Sequence, residues 1–399
     1  MARSGVNLLS VAEAQARIIA LAPDLAVERI AIGTASGRWA AEPVVAKRTQ
    51  PAADLSAMDG YAIRFDERPG PWRLAGESAA GGGLEHALAP GETARIFTGA
   101  PMPDGADTVL VQEDATVADG AVTMSGEGPA AKGSHIRRRG YDFAEGAVLI
   151  EAGARINPAR IGLAATGGHG DVAVRRRVRI GLLSTGDELV PIGEIATGVK
   201  LPASNATMLA SLFAGPAVEV VDLGIAPDRI EAITAAINRA KGIDLLITVG
   251  GASVGDRDLV RPALDAVGAT LDFWRVAVKP GKPLMAGRLG DGVVIGLPGN
   301  PVSAFVTSLI FVMPLIRAMA GAAAPLPPTR SCILDQALPA NGSRAEYLRA
   351  RRTEDRVIAL AQQDSAGLVA LAAADALIVR PVKAPEVAAG AIVEVIDIA

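Results

Sequence analysis

Four loops of this chain combine glycine with charged side chains in a way that suits the binding of an anion. They occupy residues 184–188, 250–258, 279–283 and 298–303. Glycine lets backbone N–H groups approach an oxyanion closely, as at Gly250 and Gly251. Mobile positive charge comes from Lys279 and Lys282. Carboxylates, the hard ligands that Mg²⁺ usually shares with phosphate, stand at Asp187, Glu188, Asp256 and Asp258. The loops predict a site for a phosphorylated anion and a divalent metal.

A parallel sheet would bring these loops to one edge. Each loop follows a short apolar run, at residues 178–183, 244–249, 276–278 and 293–297, and a further strand is predicted at 219–223. Helical patterns near 207–213, 229–240 and 259–267 alternate with the strands, which predicts a mainly parallel α/β sheet. Ligands of such sheets bind just past the carboxyl ends of the strands.

Some of these residues also have a purely structural interpretation. Glu188 is suited to cap a helix, and Asp228 has the spacing of a helix cap with Glu231. Pro298 and Pro301 are suited to shape a turn, with Asn300 as the cap of the next helix. The two lysines are harder to explain structurally, because rigid proline turns hold them near each other.

The remaining segments predict a multidomain α/β plus β fold. A helix is predicted at residues 10–21, because Ser10 and Glu13 have the spacing of a capping box and Pro23 ends the helix. A second helix is predicted at 157–168. Short apolar runs between turn residues predict a β-rich region at 50–140, and strand patterns return beyond 325. We therefore predict a split, helix-containing linking domain (1–49 and 141–177), a β-rich inserted domain (50–140), an α/β domain (178–325) and a C-terminal small β-barrel (326–399).

Composition excludes several classes of protein. Half of the 399 residues are hydrophobic and 21% are charged, as in globular proteins, and the net charge of −4 argues against nucleic-acid binding. Cys332 is the sole cysteine, so no internal disulfide forms. The apolar stretch at 305–316 is too short and broken to span a membrane, and the N-terminus has no signal pattern. We expect a cytoplasmic protein that binds neither membrane nor nucleic acid.

Motifs along the whole chain resemble those of the molybdopterin molybdenumtransferases, which include the catalytic domain of gephyrin. The resemblance covers roughly residues 7–397. It rests on the four loops and on motifs at 56–62, 98–101, 105–107 with Glu113, and 138–142. In the tail it rests on Arg344, Glu346, Tyr347, Arg349, Gln363 and Ser365.

The resemblance implies a homodimer in which the α/β domain of one subunit faces the β-rich domain of its partner. It implies a reaction in which adenylylated molybdopterin and molybdate give molybdenum cofactor and AMP, with Mg²⁺. Molybdopterin adenylyltransferase and molybdoenzymes would be transient partners.

The resemblance also implies roles for individual residues. The catalytic carboxylates would be Asp59, Asp142, Glu188 and Asp258. Substrate would be bound by Thr98, Ser184, Thr185, Gly250, Gly251, Ser253, Lys279, Lys282, Pro298, Pro301 and Ser303. Molybdate would be bound by Lys279, Lys282, Arg349 and Ser365. The metal would be held by Glu188, Asp228, Asp256 and Asp258.

Two other functions remain open at this point. A molybdopterin adenylyltransferase has a single α/β domain that resembles residues 178–325, but it lacks the β-rich region and the tail. A non-catalytic scaffold is the second alternative, since gephyrin shows that this type of domain can bind membrane-receptor segments. The charged loops count against that scaffold.

Overall fold

A computed structural model describes residues 8–240, 242–251 and 259–398. The first helix, α1 (Val11–Ala20), begins as predicted, because the Ser10 side chain accepts a hydrogen bond from the backbone N–H of Glu13. Our prediction grouped this helix with the linking domain. Its buried residues Ala14 and Ile18 instead lie in the core of the α/β sheet, and Gln15 donates to the carbonyl of Ile310.

The chain passes from α1 into a linking segment that is completed only after the β-rich region. Strands β1 (Val27–Ala31) and β2 (Val44–Val45) come first. The β-rich region then has eight strands: β3 (Leu55–Ser56), β4 (Gly60–Ile63), β5 (Trp72–Ser78), β6 (Glu92–Ile96), β7 (Thr108–Val111), β8 (Ala115–Ala118), β9 (Ala121–Met124) and β10 (Ile136–Arg137). Six of them form one sheet in the order β7-β4-β6-β5-β9-β8, and β3 pairs with β10.

Three elements after the β-rich region return to the linking segment. They are β11 (Val148–Ile150), α2 (Pro158–Thr166) and β12 (Asp171–Arg175). β1 pairs antiparallel with β12, and β2 pairs antiparallel with β11. The linking segment therefore has its own small core, which includes Ile156 and Val174.

The α/β region begins directly after this segment. Its strands are β13 (Val178–Thr185), β14 (Leu189–Val190), β15 (Leu201–Pro202), β16 (Val218–Ala226), β17 (Leu245–Val249), β18 (Thr270–Arg275), β19 (Val278–Lys279), β20 (Pro283–Leu289) and β21 (Gly292–Leu297). Its helices are α3 (Ser204–Phe213), α4 (Ile230–Arg239), α5 (Val260–Ala266), α6 (Pro301–Thr307) and α7 (Met313–Met319). The last two are joined by a π-helical turn, Ser308–Val312.

The main sheet has the order β16-β13-β17-β21-β20-β18. The first four strands are parallel, and β20 runs antiparallel to both of its neighbours. Alternate side chains face opposite sides, as the pleat requires. In β17, for example, Leu245 and Ile247 pack towards α1 and the long helix, the continuous helix Pro301–Met319, whereas Leu246 packs with α4 and α5 residues.

The helix formed by α6, the π-helical turn and α7 lies in the protein core. In the described part of the chain, Pro301–Met319 is the helix whose length and composition would allow it to cross a membrane, and 78% of its most apolar window is buried inside the protein. This burial agrees with the prediction of a buried helix.

The C-terminal region forms the predicted small β-barrel. Its elements are β22 (Arg330–Leu334), β23 (Ala345–Thr353), β24 (Arg356–Ala359), α8 (Leu368–Ala372), β25 (Ala376–Arg380) and β26 (Ile392–Asp397). Five strands close in the order β23-β24-β22-β26-β25, because β25 also pairs with β23. Cys332 is buried inside the barrel. β19 pairs with the start of β23, so the loop at residues 279–283, which we call the lysine loop, is joined to the barrel.

Candidate active site

The carboxyl ends of the parallel strands bring several predicted loops into contact. We call this region, the residues directly after β13, β16, β17 and β21, the carboxyl edge. The N–H of Gly186 donates to the carbonyl of Ala226 at 3.2 Å, and the N–H of Gly250 donates to that of Leu297 at 3.2 Å. Gly250 has a φ of 102°, and a Cβ there would lie 2.5 Å from the carbonyl oxygen of Thr185. The fold therefore requires glycine where the loops meet.

A buried hydroxyl adjoins these glycines. Ser184 and Thr185 are buried at the end of β13, and the Oγ1 of Thr185 has no hydrogen-bond partner in the described parts of the chain. A Cβ on Gly250 would be 3.0 Å from that oxygen, and one on Gly251 would be 3.3 Å away. A buried hydroxyl without a partner is costly, so this group is available to a ligand that reaches the glycine loop.

The acidic side of the carboxyl edge consists of two linked loops. The N–H of Asp228 donates to Asp187 Oδ1 at 3.1 Å, and the N–H of Asp187 lies 3.4 Å from Asp228 Oδ2. The interpretation of Asp228 as the cap of α4 is wrong. The N-cap position of α4 is occupied by Arg229, and no side chain makes a capping hydrogen bond there. Glu188 follows Asp187 and lies against Gly186, where a Cβ would be 2.6 Å from its Oε2.

The lysine loop lies between the carboxyl edge and the barrel. Lys279 Nζ donates to Glu346 Oε1 on β23 at 2.9 Å. Lys282 is exposed, and in the described ranges no carboxylate lies within ion-pair distance of it. Gly281 packs so tightly on the long helix that a Cβ there would be 2.3 Å from the side chain of Thr307. The loop thus has a fixed base, and it presents to solvent one cation that has no ion-pair partner among the described residues.

The start of the long helix is connected to a barrel loop. Asn300 occupies the predicted cap position and Pro301 the first turn, but the Asn300 side chain caps no N–H. Its Nδ2 donates instead to Ser365 Oγ at 2.8 Å, and the N–H of Val302 donates to the carbonyl of Ser365 at 3.1 Å. Ser303 is buried one turn into the helix. Pro298 lies in the turn between β21 and the helix.

Arg349 lies behind the same barrel loop. Its side chain is 1% exposed, and its two terminal nitrogens donate to the carbonyls of Asp364 at 2.8 Å and Gln362 at 2.7 Å. Burial lowers the pKa of Arg349, although a guanidinium keeps its charge in proteins. Its Nε has no partner in the described residues. The guanidinium is thus held by two carbonyls of the loop that carries Ser365, and the Asp364 carboxylate is the charge that favours it there.

A second group of predicted residues is assembled within the β-rich region. Asp59 Oδ1 accepts hydrogen bonds from the N–H of Thr98 at 2.7 Å and from its hydroxyl at 2.8 Å. The backbone N–H of Thr98, followed by its hydroxyl, lowers the pKa of Asp59. Asp142 is exposed, and its N–H donates to the carbonyl of Gln50 at 3.0 Å. The hydrogen bonds of this group are made within residues 50–142, apart from the carboxyl edge.

Comparison with known proteins agrees with the domain content of the chain. Three family models match: the MoeA N-terminal region (domain I and II) at residues 9–168, a probable molybdopterin binding domain at 181–318, and the MoeA C-terminal region (domain IV) at 332–398. Molybdopterin molybdenumtransferase 2 of Mycobacterium tuberculosis is 35% identical over 89% of this chain and 91% of its own length. The chain belongs to the molybdopterin molybdenumtransferase family.

Further relatives of this family support the same assignment. Molybdopterin molybdenumtransferase of Bacillus subtilis is 30% identical over 94% of this chain and 90% of its own. A crystal structure of a molybdopterin biosynthesis MoeA protein from Pyrococcus horikoshii shares 25% identity with a TM-score of 0.82, covering 98% of this chain and 100% of that chain. Family membership makes this protein a transferase of molybdenum cofactor biosynthesis.

Three of the predicted family positions, Ser253, Asp256 and Asp258, lie outside the described residues. Among the residues that are described, no group of three or more His, Cys, Asp or Glu side chains is arranged to hold a metal ion. Glu188 and Asp228 are the members of the predicted metal set that the described residues include.

Three residues of the site were missed as site residues by sequence reasoning. Glu346 pairs with Lys279, Asn205 donates to the carbonyl of Gly299 at 2.6 Å, and Lys200 donates to the carbonyl of Asp187. Glu346 is one of the tail residues on which the resemblance rested, and this was a usable signal. Asn205 and Lys200 carry no comparable motif.

Proposed function

We propose that this protein inserts molybdenum from molybdate into adenylylated molybdopterin, with Mg²⁺, and releases AMP and molybdenum cofactor. The observation that carries the proposal is the meeting of a glycine-rich carboxyl edge with cations from two domains. Lys279 and Lys282 come from the α/β region, and Arg349 comes from the barrel. The names of the relatives support the molybdenum and molybdopterin chemistry.

Molybdate binding is assigned to Lys279, Lys282, Arg349 and Ser365. Glu346 joins the lysine loop to β23, the strand that carries Arg349, and Asn300 joins Ser365 to the carboxyl edge. A dianion placed there would interact favourably with the two exposed lysines and with the buried charge of Arg349. The site thereby lowers the cost of bringing one anion next to another.

The pterin and its phosphates are assigned to the glycine side of the edge. The contributing groups are Ser184, Thr185, Gly250, Gly251, Ser253, Pro298, Pro301 and Ser303. The Thr185 hydroxyl, which has no hydrogen-bond partner among the described residues, and the close approach of the two glycine loops support this assignment. Thr98 would contact the same substrate from the β-rich region.

Oxygen donors at the acidic side fit Mg²⁺, which usually takes only one or two protein carboxylates with phosphate oxygens. Glu188 and Asp228 are the described candidates, with Asp256 and Asp258 as the other two. When bound, the ion supplies positive charge at the phosphoanhydride. The carboxylates would hold and orient it, while the lysine loop and the barrel would bind molybdate.

No side-chain nucleophile is needed in this reaction. Molybdenum–sulfur bonds form as molybdenum–oxygen bonds break, and hydrolysis of the phosphoanhydride releases AMP. Cys332, the single thiol of the chain, is buried in the barrel, where burial raises its pKa. A nucleophilic role for it is therefore not part of the proposal.

A homodimer would unite the two groups of predicted residues. Asp59, Thr98 and Asp142 belong to the β-rich region, whose described hydrogen bonds do not join them to the carboxyl edge. In the proposed dimer these residues face the carboxyl edge of the partner subunit. Transient contacts with molybdopterin adenylyltransferase and with molybdoenzymes would deliver substrate and accept product, in the cytoplasm.

A turnover assay tests the proposal directly. Purified protein, adenylylated molybdopterin, Mg²⁺ and molybdate are incubated, while AMP release and reconstitution of a cofactor-free molybdoenzyme are measured. We expect AMP release that depends on molybdate, together with an active molybdoenzyme. Formation of adenylylated molybdopterin from ATP and molybdopterin would instead identify an adenylyltransferase. Absence of both reactions would favour a scaffold.

A further inference from the structure

A cavity of ≈ 570 Å³ lies away from the carboxyl edge, where three parts of the chain meet. Its walls come from the linking segment, from the turn after α3, and from α7 with the stretch that leads into the barrel. Small-molecule sites of proteins commonly enclose roughly 300–1,000 Å³ and often lie between domains. Its size and position therefore suit a small ligand.

Two arginines line this cavity without an acidic partner. Arg155 is paired across an antiparallel bridge with Trp39, so both side chains lie on one face. Arg317 is half-buried in the last turn of α7, one turn after Met313, and in the described residues its side chain donates to the carbonyl of Pro325 at 3.4 Å. Within the described ranges, no carboxylate is within ion-pair distance of Arg155 or Arg317.

Neighbouring arginines differ in this respect. Arg38 pairs with Glu28 at 3.1 Å, Arg175 with Asp24 at 3.2 Å, and Arg176 with Asp244 at 2.7 Å. Carboxylates of nearby segments thus pair with these three arginines, none of which lines the cavity, whereas the two arginines of the cavity have no such partner in the described ranges.

The two cations also disfavour each other. Burial lowers the pKa of Arg317, and the charge of Arg155 lowers it further. A position in the last turn of α7 explains one cation, since the helix dipole favours positive charge there. The helix dipole does not explain why Arg155 lies near Arg317. An anion between them would relieve both effects.

The rest of the lining is aromatic and aliphatic. Trp39, Phe213, Met313 and Leu326 contribute apolar surface. Gly37, with a φ of 80°, closes one wall against Pro216, because a Cβ there would be 2.6 Å from the proline ring. A bare inorganic ion would leave this apolar surface uncovered, whereas a ring attached to the anionic group would cover it.

We propose that this cavity binds a small aromatic anion, with Arg155 and Arg317 holding its phosphate or carboxylate group. Its ring contacts Trp39, Phe213 and Leu326. Such a ligand joins the linking segment to α7 and so favours one arrangement of the two. The proposal does not depend on the proposed catalytic function.

Isothermal titration calorimetry of the full chain with phenyl phosphate, benzoate and inorganic phosphate tests the site. We expect one of the two aromatic anions to bind more tightly than inorganic phosphate, and the tighter of them identifies the anionic group. Arg155→Met and Arg317→Met should each weaken that binding about tenfold or more, because each removes a charged donor. Arg317→Lys should retain part of the affinity. Arg177→Met, at an exposed arginine outside the cavity, is the matched control and should bind as the wild type does.

Three outcomes would overturn the proposal. The first is equal affinity of wild type and an Arg317→Met variant that unfolds at the same temperature. The second is equal affinity for inorganic phosphate and both aromatic anions, which would remove the role of the ring. The third combines two results: the wild-type dimer binds none of the three anions, and the Leu326→Glu variant sediments as a monomer in sedimentation velocity. That result would assign the cavity to contact between two copies.

Discussion

Asp59 and Arg349 are held by the protein in opposite ways. Asp59 is partly exposed, and both of its hydrogen bonds come from one residue of the same β-rich region. Arg349 is buried, and its guanidinium depends on carbonyls of a loop that is itself connected to another domain through Ser365 and Asn300. One charge is fixed locally, and the other is fixed by the packing of two domains.

The two regions therefore place different demands on folding. The Asp59–Thr98 pair requires only the small sheet of the β-rich region. The cation group requires the barrel to dock on the carboxyl edge, through Lys279–Glu346 and Asn300–Ser365. Each of these hydrogen bonds has a modest net free energy, but together they bring the two domains into register. We infer that domain packing is a precondition for the oxyanion site.

Removal of Lys282 should have the largest effect on turnover. It is the exposed cation of the lysine loop without a carboxylate partner among the described residues, so its charge is available to molybdate. We expect Lys282→Ala to lower kcat/KM for molybdate by about 10²–10³-fold, as loss of a preorganised donor does. The melting temperature should not change.

Lys383→Ala provides the matched control, since Lys383 is exposed in the barrel region away from the carboxyl edge. Steady-state kinetics with varied molybdate and thermal unfolding give the two readouts. Equal loss of activity in both variants would remove the special role of Lys282.

Asp59→Ala should lower turnover by about 10²-fold, the usual range for a group that moves or stabilises charge in the reaction. Asp104→Ala, at an exposed carboxylate of the same region, should have no effect. A mixture of the inactive Asp59→Ala and Lys282→Ala chains then tests the proposed sharing between subunits.

After subunit exchange at equal concentration, the mixture should regain about a quarter of the wild-type activity. Half of the dimers are then mixed, and one of the two sites in each mixed dimer has both wild-type groups. Activity of the mixture is measured by AMP release before and after exchange. No recovery after confirmed exchange would mean that both groups act within one chain.

Sequence reasoning worked where a single segment decides the structure. The cap of α1, the buried strand β17 and the closed barrel follow from patterns within one segment. It was also sufficient for the glycines at the carboxyl edge, because the ends of parallel strands must meet there.

Sequence reasoning failed where two distant segments meet. Asp228 was considered as a helix cap, yet it bonds to a loop 41 residues earlier in the chain. Asn300 was expected to cap its own helix, yet its side chain bonds to a residue 65 positions later. Local spacing favoured the local partner in both cases, and only the packing of domains supplies the alternative.

Ser365→Ala should produce a smaller loss than either charge removal. The variant loses one hydrogen bond, from Asn300, between the barrel loop and the carboxyl edge. We expect KM for molybdate to rise about threefold to tenfold, in line with the net free energy of one hydrogen bond. Ser331→Ala is the matched control, since its hydroxyl bonds to Glu394 within the barrel. An unchanged KM in both variants would show that this interdomain bond does not position the molybdate site.

Thr98→Val should have the smallest effect of these substitutions, and it tests how Asp59 is held within the β-rich region. The variant keeps the backbone N–H, the larger cause of the lowered pKa of Asp59, and loses only the hydroxyl. We expect this pKa to rise part of the way towards its ordinary value of 3.8, as followed by carboxyl ¹³C NMR.

The lowered pKa of Asp59 also determines how the stability of the fold depends on pH. Because the folded pKa of Asp59 is below the unfolded value, its ionised form stabilises the fold above the unfolded pKa. This contribution is lost as the pH falls through the folded pKa, and less acid is needed to remove it in Thr98→Val. An Asp59→Asn chain lacks the titration altogether and serves as the reference in thermal unfolding between about pH 3 and 6. A wild-type pKa at or above the ordinary value would show that Thr98 does not hold the carboxylate in solution, and the contrast with Arg349 would then fail.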